Sequence, residues 1–369
     1  MVAGQSSQEA KRSTSKFLLV LTIIIALVVA GFVIYLPNLT RVSIVESQTS
    51  ATSSLQPSYS NTSFSTTAGT VLSLGQSPVI QNGSANVSYP ADYQLLAAYA
   101  LNVINQDRGK FGLGNVTLSP VPSGQQHADS MLYFGYFSHY DTQGYKPYMR
   151  YTLLGGVGAV EENIAFISWE SAYYTGVSGV EKSIRSLEYS MMYNDSACCN
   201  NGHRTNILNP LHDRVSIGIA YNSTALFFVE DFENYYANLN VGLAGLTVSL
   251  VGAPVNASQG STAMAVFFDP RPTPENASVL NSGPREYDPG TLVGGIFPPC
   301  IFVCPYSQTG LTVYATTWQY TSSIVNLSFS LSGFVRRFGP GVYTLYLLSG
   351  SNTNSSIADA LTSISVFQG

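Results

Sequence analysis

The sequence predicts an α+β fold for its middle, preceded by an apolar span and a polar tether and followed by an all-β sandwich. Three observations predict it. Apolar residues recur with helical spacing over 93–107 and 180–192, give way to a hairpin at 215–232, and alternate with period two beyond 239. One uncharged apolar run stands near the N-terminus. All four histidines of the 369-residue chain, His127, His139, His203 and His212, fall within its middle part.

Residues 1–16 form a short polar tail, with Lys11, Arg12 and Lys16 opposed by Glu9. The run 17–36 reads FLLVLTIIIALVVAGFVIYL. At about 1.5 Å per residue such a helix spans about 30 Å, the thickness of a bilayer core. The basic flank favours a cytoplasmic N-terminus and leaves the bulk of the chain extracellular, as in a single-pass protein of the cell membrane. A cleaved signal peptide is the rival reading. It requires a shorter apolar stretch ending in a small-x-small site, and Tyr35-Leu36-Pro37 is a poor one. Residues 37–88 are rich in Ser and Thr, with Arg41 and Glu46 their only charges. A segment of that composition cannot bury enough apolar surface to offset its ordering entropy and reads as a disordered stalk. Asn-x-Ser/Thr sequons begin at Asn38, Asn61, Asn82, Asn86, Asn115, Asn194, Asn222, Asn256, Asn276, Asn326 and Asn354, all beyond the apolar run. They predict a glycosylated surface.

The net charge of −5 leaves no electrostatic footprint for nucleic acid. Over 89–238 there are 8 Lys/Arg against 14 Asp/Glu, a balance that suits a cationic ligand better than a phosphate. The four cysteines, Cys198, Cys199, Cys300 and Cys304, allow three disulfide pairings. Cys198 and Cys199 can bridge each other or reach Cys300 and Cys304, and the sequence leaves this open. The spacing of Cys198, Cys199 and His203 is not a standard zinc pattern.

In the middle unit, 89–238, Leu96, Ala100, Val103 and Asp107 mark one side of a first helix, with Leu95, Tyr99 and Asn102 beside it. A second helix opens at Ser123 or Gly124 and puts His127 and Met131 on one face. His139 follows in a glycine-ended loop. Val180, Ile184, Leu187 and Met191 stripe a further helix, which leads into the turn CCNNGHRTNILNP at 198–210. Residues 215–221 and 226–232 read as a hairpin turning at Asn222. Helices followed by a hairpin, with a polar cluster between them, make an α+β layer packing.

The series NQDR, HADSM, YFSHYD, EENIA, NGHRTNILNP, VSIGIAY and FFVEDF resembles the CAP superfamily, the cysteine-rich secretory, antigen-5 and pathogenesis-related-1 (SCP) domains, in its prokaryotic style. The resemblance covers 89–238. It implies an α-β-α sandwich with an open cleft lined by two histidines and two acids, and ligands such as lipids, glycans or proteins without one shared reaction. By motif, His139, Glu162 and His203 match cleft positions, although Glu161 stands where the family has Gly. The second acid has no clear match. Glu188 is nearby, Glu181 is an alternative, and the usual Trp of that helix is absent.

Two imidazoles and a carboxylate brought together from three loops suit zinc or another divalent metal. His139 and His203 are the candidate metal ligands, with Glu162 as third ligand or general base of a metal-assisted hydrolase. The bland alternative is that these groups bond one another and fix loops over the core. His127 reads as a satisfied buried histidine and His212 as a turn residue. Arg204 reads as structural, paired with Asp213 or Glu230, and Asn163 as bonding backbone around the cleft. No Gly-x-Ser-x-Gly or His-Glu-x-x-His motif occurs. The leading expectation is a binding protein at the cell surface; a hydrolase using His139, His203 and Glu162, or an architectural envelope component, are the alternatives.

Beyond 239 the period becomes two. Leu246, Val248 and Leu250 alternate with polar residues, as do Val325, Leu327, Phe329 and Leu331, then Ile364 and Val366. Strands also fit 342–348 after the Gly339-Pro340-Gly341 turn. The phase puts Asn326 on the solvent face. Repeated short strands of this kind predict a β-sandwich over 239–369.

Overall fold

The computed structural model describes residues 92–168, 176–255, 260–349 and 360–369, all within one compact unit, Ser65–Gly369. The apolar run at 17–36, the stalk, and the sequons at Asn38, Asn61, Asn82, Asn86, Asn256 and Asn354 lie outside the described residues. Among the described residues no helix is long and apolar enough to cross a membrane.

The architecture is mixed helix and sheet, with three sheets. The chain opens with α1 (Tyr93–Lys110), whose buried side is Leu96, Ala97, Ala100, Val103, Ile104, Asp107 and Arg108. The predicted stripe is therefore present, but Leu95 is exposed. The short β1 (Thr117–Leu118) leads to α2 (Ser123–Phe134) and α3 (Pro147–Leu153). Then come β2 (Ala159–Ser168), α4 (Val177–Tyr193), the short α5 (Ser196–Cys199) and α6 (Gly202–Ile207), and the hairpin β3 (Arg214–Tyr221) and β4 (Ala225–Asn234). The first sheet has the order β1-β3-β4-β2, antiparallel except for β1 on β3.

Apolar layers cover both faces of this sheet. On one, α1 and α4 pack Leu96, Ile104, Ile184 and Leu187 against Ile217, Ile219 and Phe228. On the other, α2 packs Ala128 and Met131 near Ile164, Ala220 and Val229. The approach of α2 to β3 depends on two glycines. A Cβ on Gly124 would stand 2.5 Å from the Ser216 carbonyl oxygen, and one on Gly218 2.1 Å from that of Gly124.

EENIA is not a loop but part of β2, paired along its whole length with β4, Glu162 opposite Asp231 and Asn163 opposite Glu230. Side chains of consecutive strand residues point to opposite faces. Glu162 therefore looks toward α2 and α3, and Asn163 toward α4. This alternation decides the geometry of the site.

The remaining strands form two sheets over one apolar core. The first holds β5 (Ala237–Ala244), β6 (Thr247–Pro254), β10 (Thr317–Tyr320) and β11 (Val325–Ser330), in the order β10-β11-β6-β5. The second holds β7 (Met264–Asp269), β8 (Thr291–Phe297), β9 (Leu311–Tyr314), β12 (Gly341–Leu348) and β13 (Ala360–Gln368), in the order β13-β12-β7-β8-β9. Leu250, Leu327 and Phe329 from one sheet meet Val266, Leu345 and Ile364 from the other. In β11, Val325, Leu327 and Phe329 are buried and Asn326 is half-exposed, as the alternation predicts. Two short helices, α7 (Ala277–Ser282) and α8 (Ser332–Phe338), interrupt the strands.

This β region docks on the first. Lys146 donates to Asp269 at 2.7 Å and Asp288 at 2.8 Å, and the Tyr148 hydroxyl donates to Asp269 at 2.7 Å. Asn234 donates to the Ala360 carbonyl at 2.8 Å. Tyr148, Tyr151, Val160 and Val342 make a shared apolar layer beneath these polar contacts.

Candidate functional site

On the α2/α3 face, Glu162 is the centre of a buried ion-pair hub. Its Oε2 accepts from Arg150 at 2.6 Å and meets His127 Nδ1 at 2.7 Å, and its Oε1 meets His139 Nδ1 at 2.9 Å. Arg150 Nη2 also lies 2.9 Å from His127 Nδ1, so the arginine, the histidine and the carboxylate close into one triangle. Arg150 also donates to the His139 and Tyr145 carbonyls, at 2.7 and 2.8 Å, and so ties the SHYD loop to α3. Burial by itself raises the Glu162 carboxyl; the Arg150 charge and the two histidines override it and hold Glu162 well below the usual carboxylate range. Burial and the Arg150 charge push His127 down, so it is neutral. Burial and the Glu162 charge push the facing Asp231 well up, toward its protonated form.

Tyr287, from the loop between α7 and β8, closes this hub. Its ring lies 4.8 Å from that of His139, and its hydroxyl accepts from the Glu162 backbone N–H at 2.9 Å. Asn281 and Arg285 bond the Phe137 backbone beside it.

His203 belongs to a different cluster. Its Nδ1 meets Asp195 Oδ1 at 2.6 Å, and Asp195 Oδ2 accepts the Arg204 backbone N–H at 3.1 Å. Asn163, on the α4 face, donates to Glu230 at 3.1 Å and to the His203 carbonyl at 3.3 Å. Asn206 donates to Asn163 at 2.9 Å. The structure thus joins His139 to Glu162 and His203 to Asp195, with β2 between the two pairs. It does not bring His139, His203 and Glu162 to one metal site.

Three further expectations change, and the open cysteine pairing is resolved. Glu188 lies fully buried beside Glu230 rather than in a cleft; burial, then the Glu230 charge, push it well up. Arg204 pairs with neither Asp213 nor Glu230: it donates to the Met192 carbonyl at 2.7 Å and covers the Phe111 ring at 4.9 Å. His212 is no surface turn residue. It is buried between Asn206 and Asn234, at 2.8 and 2.6 Å, and stacks on Phe232. The cysteines pair locally, Cys198 with Cys199 and Cys300 with Cys304. Ligand atoms of Asp195, Cys198, Cys199 and His203 lie within 4.8 Å of one another, but both sulfurs are engaged in the bridge.

Burial pushes His212 down to about 3. Its folded value lies below the unfolded 6.5, so its stability contribution is complete above pH 6.5 and is lost as pH falls toward 3. The slope reaches at most about 1.4 kcal/mol per pH unit. His127 acts in the same direction, while the raised carboxyls of Glu188, Glu230 and Asp231 act against it. A His212→Gln variant should flatten the acid limb between pH 6.5 and 3, as measured by denaturant unfolding across that range.

Among the described residues one open space, of about 360 Å³, lies between Tyr140, Lys146, Phe268 and Asp288, and a larger one lies beside the His203 cluster. A groove of about 640 Å³ is lined by Glu161, Asn201, Arg204, Thr205, Leu208 and the turn 209–211. Its walls are two of the sequence motifs, the start of EENIA and the NGHRTNILNP turn. Arg108 fixes the second wall from below. Fully buried, it donates to the carbonyls of Gly114, Ile207, Asn209 and His212 at 2.6–3.2 Å. Sequence reasoning missed the roles of Arg108, Arg150, Asp195 and Tyr287. In a chain with 10% charged residues, an arginine amid tyrosines, as in YMRY, was the available signal for Arg150.

No family model matches the chain, and no curated protein does. Seven solved chains resemble part of it, among them two SCP- or CAP-domain proteins. One is an extracellular protein containing a SCP domain from Bacillus anthracis str. Ames, at 21% identity and TM-score 0.27, over 37% of this chain and 39% of that one. The other is the CAP domain of Enterococcal PrgA, at 16% identity and TM-score 0.26, over 36% and 58%. The match spans less than two thirds of either structure's length. Both contain the domain type that the motif series resembles.

Proposed function

We propose that this chain is a membrane-anchored, extracellular binding protein of the CAP/SCP type, which takes a surface ligand, a lipid, glycan or protein segment, in the groove between Glu161 and the 201–211 turn. The observation that carries this reading is that groove itself. At about 640 Å³ it has the size of a ligand site, with apolar walls from Leu208 and Leu211 and polar groups from Glu161 and Thr205. Both walls come from motifs that the resemblance places around a cleft. Glycans on the exposed Asn115, Asn194, Asn222 and Asn276 fit an external surface.

The Glu162 hub argues against the hydrolase alternative. A general base needs a lone pair directed at a substrate proton. Both Glu162 oxygens are taken by Arg150, His127 and His139, and the group sits well below its usual range. The hub therefore acts as a rigid tie between α2, α3 and the SHYD loop and not as a reacting centre.

Thr205 is exposed in the groove wall, so Thr205→Trp fills the space without touching the core. Binding of a fluorescent sterol, a fatty acid and a panel of soluble oligosaccharides should be measured on the full chain in lipid nanodiscs. A probe that binds wild type should lose at least about tenfold in affinity with Thr205→Trp, or about 1.4 kcal/mol. Unchanged affinity for every probe that binds would place the ligand elsewhere.

A further inference from the structure

The most exposed apolar side chains among the described residues stand three in a row. Ile301, Phe302 and Val303 are 86%, 92% and 97% exposed. They form the tip of a loop closed by the Cys300–Cys304 disulfide, with Cα atoms 5.4 Å apart. Pro298, Pro299 and Pro305 flank it. The Tyr314 hydroxyl donates to the Pro305 carbonyl at 2.9 Å and fastens the exit of the loop to β9. The tip is thus held in shape by a covalent closure and three prolines, and has little conformational freedom left to lose on binding.

The surroundings say what kind of partner suits it. No Asp, Glu, Lys or Arg occurs from 289 to 335. A protein interface built around an apolar anchor normally surrounds it with a polar and charged rim. The loop and its flanking sequence carry no charge, and Tyr306 stands 68% exposed beside the tip. An apolar point with a neighbouring tyrosine is the arrangement favoured at the boundary between acyl chains and headgroups. Sequence supplies a further argument, which rests on the membrane-anchored reading above. The Ser/Thr-rich composition of 37–88 predicts a tether, and one of 52 residues would have a root-mean-square reach of about 40 Å. It would keep the loop at high local concentration over the bilayer that holds the chain.

We propose that the Cys300–Cys304 loop is a membrane finger: Ile301, Phe302 and Val303 enter the interfacial layer of the bilayer and give the tethered body a second, reversible contact with it. That contact would fix which side of the body faces the lipid, whereas a tether alone leaves orientation free.

The test uses the full chain with Phe302→Trp, reconstituted in phosphatidylcholine vesicles with or without bromine on the acyl chains. Emission is read as the difference from the wild-type chain, since Trp169 and Trp318 are common to both. The proposal expects the added emission to be blue-shifted and more than half of it to be lost in brominated vesicles. Vesicle flotation is run in parallel. A chain that floats with the vesicles but whose added tryptophan emits as in water overturns the finger and leaves the anchor standing. Blue-shifted but unquenched emission overturns it too, by showing burial against protein, a second copy included. A chain that does not float overturns both readings at once.

Discussion

Glu162→Gln should remove about 3–5 kcal/mol of stability. The change keeps the shape of the side chain and deletes its charge. Arg150, buried and held at 2.6 Å from Oε2, then loses its counter-ion. Breaking a buried pair from one side costs this much because the remaining charge stays desolvated without compensation. His127 and His139 also lose an ionised acceptor. The wild type should show the same dependence through pH. The Glu162 carboxyl lies below its unfolded value, so its contribution is complete above the ordinary carboxylate range and is lost as pH falls below it. Urea denaturation at pH 7 checks the first statement. A loss under 1 kcal/mol would mean that the hub is not built as described.

Arg108→Met should cost nearly as much, about 3–4 kcal/mol. The methionine fills much of the space but takes the Arg108 donor from the carbonyls of Gly114, Ile207, Asn209 and His212, of which Asn209 keeps the His212 N–H at 3.4 Å. An acceptor stranded in this way costs about 1–3 kcal/mol, and local relaxation recovers part of the sum. Arg108→Lys should recover less than half, since a single ammonium cannot fork to four acceptors spread over two segments of the chain. Three of the acceptors lie in 207–212, so the damage should concentrate there. Amide exchange should quicken in α6 and the turn after it, more than in β3 or β4. Uniform quickening would argue that Arg108 is only a core filler.

Much of the fold was legible because packing set the period. The stripes of α1 and α4 face one continuous apolar layer, and Val180, Ile184, Leu187 and Met191 are all buried as the spacing predicts. The alternation in β11 was legible for the same reason, one wet face and one dry. β2 was not. Its start places Glu161, Glu162 and Asn163 in succession, three polar residues that hide the alternation because a polar network occupies each face of the sheet there. Read as a loop, EENIA allows Glu162 to meet His139 and His203 together. Read as a strand, it sends Glu162 to one side and Asn163 to the other, and the two histidines separate. β7 was missed for another reason: in MAVFFD the apolar run is almost continuous, and the fold buries residues on both of its faces.

The separation of the two imidazoles is the claim on which the functional reading turns, and ring nitrogen spectra test it directly. Long-range ¹⁵N–¹H correlation spectra would be recorded on wild type, Glu162→Gln and Asp195→Asn. The geometry predicts that Glu162→Gln moves the ring signals of His127 and His139 and leaves His203 in place, and that Asp195→Asn does the reverse. If either substitution moved His139 and His203 by comparable amounts, the two rings would share one pocket, and the groove beside His203 would lose its independence from the buried hub.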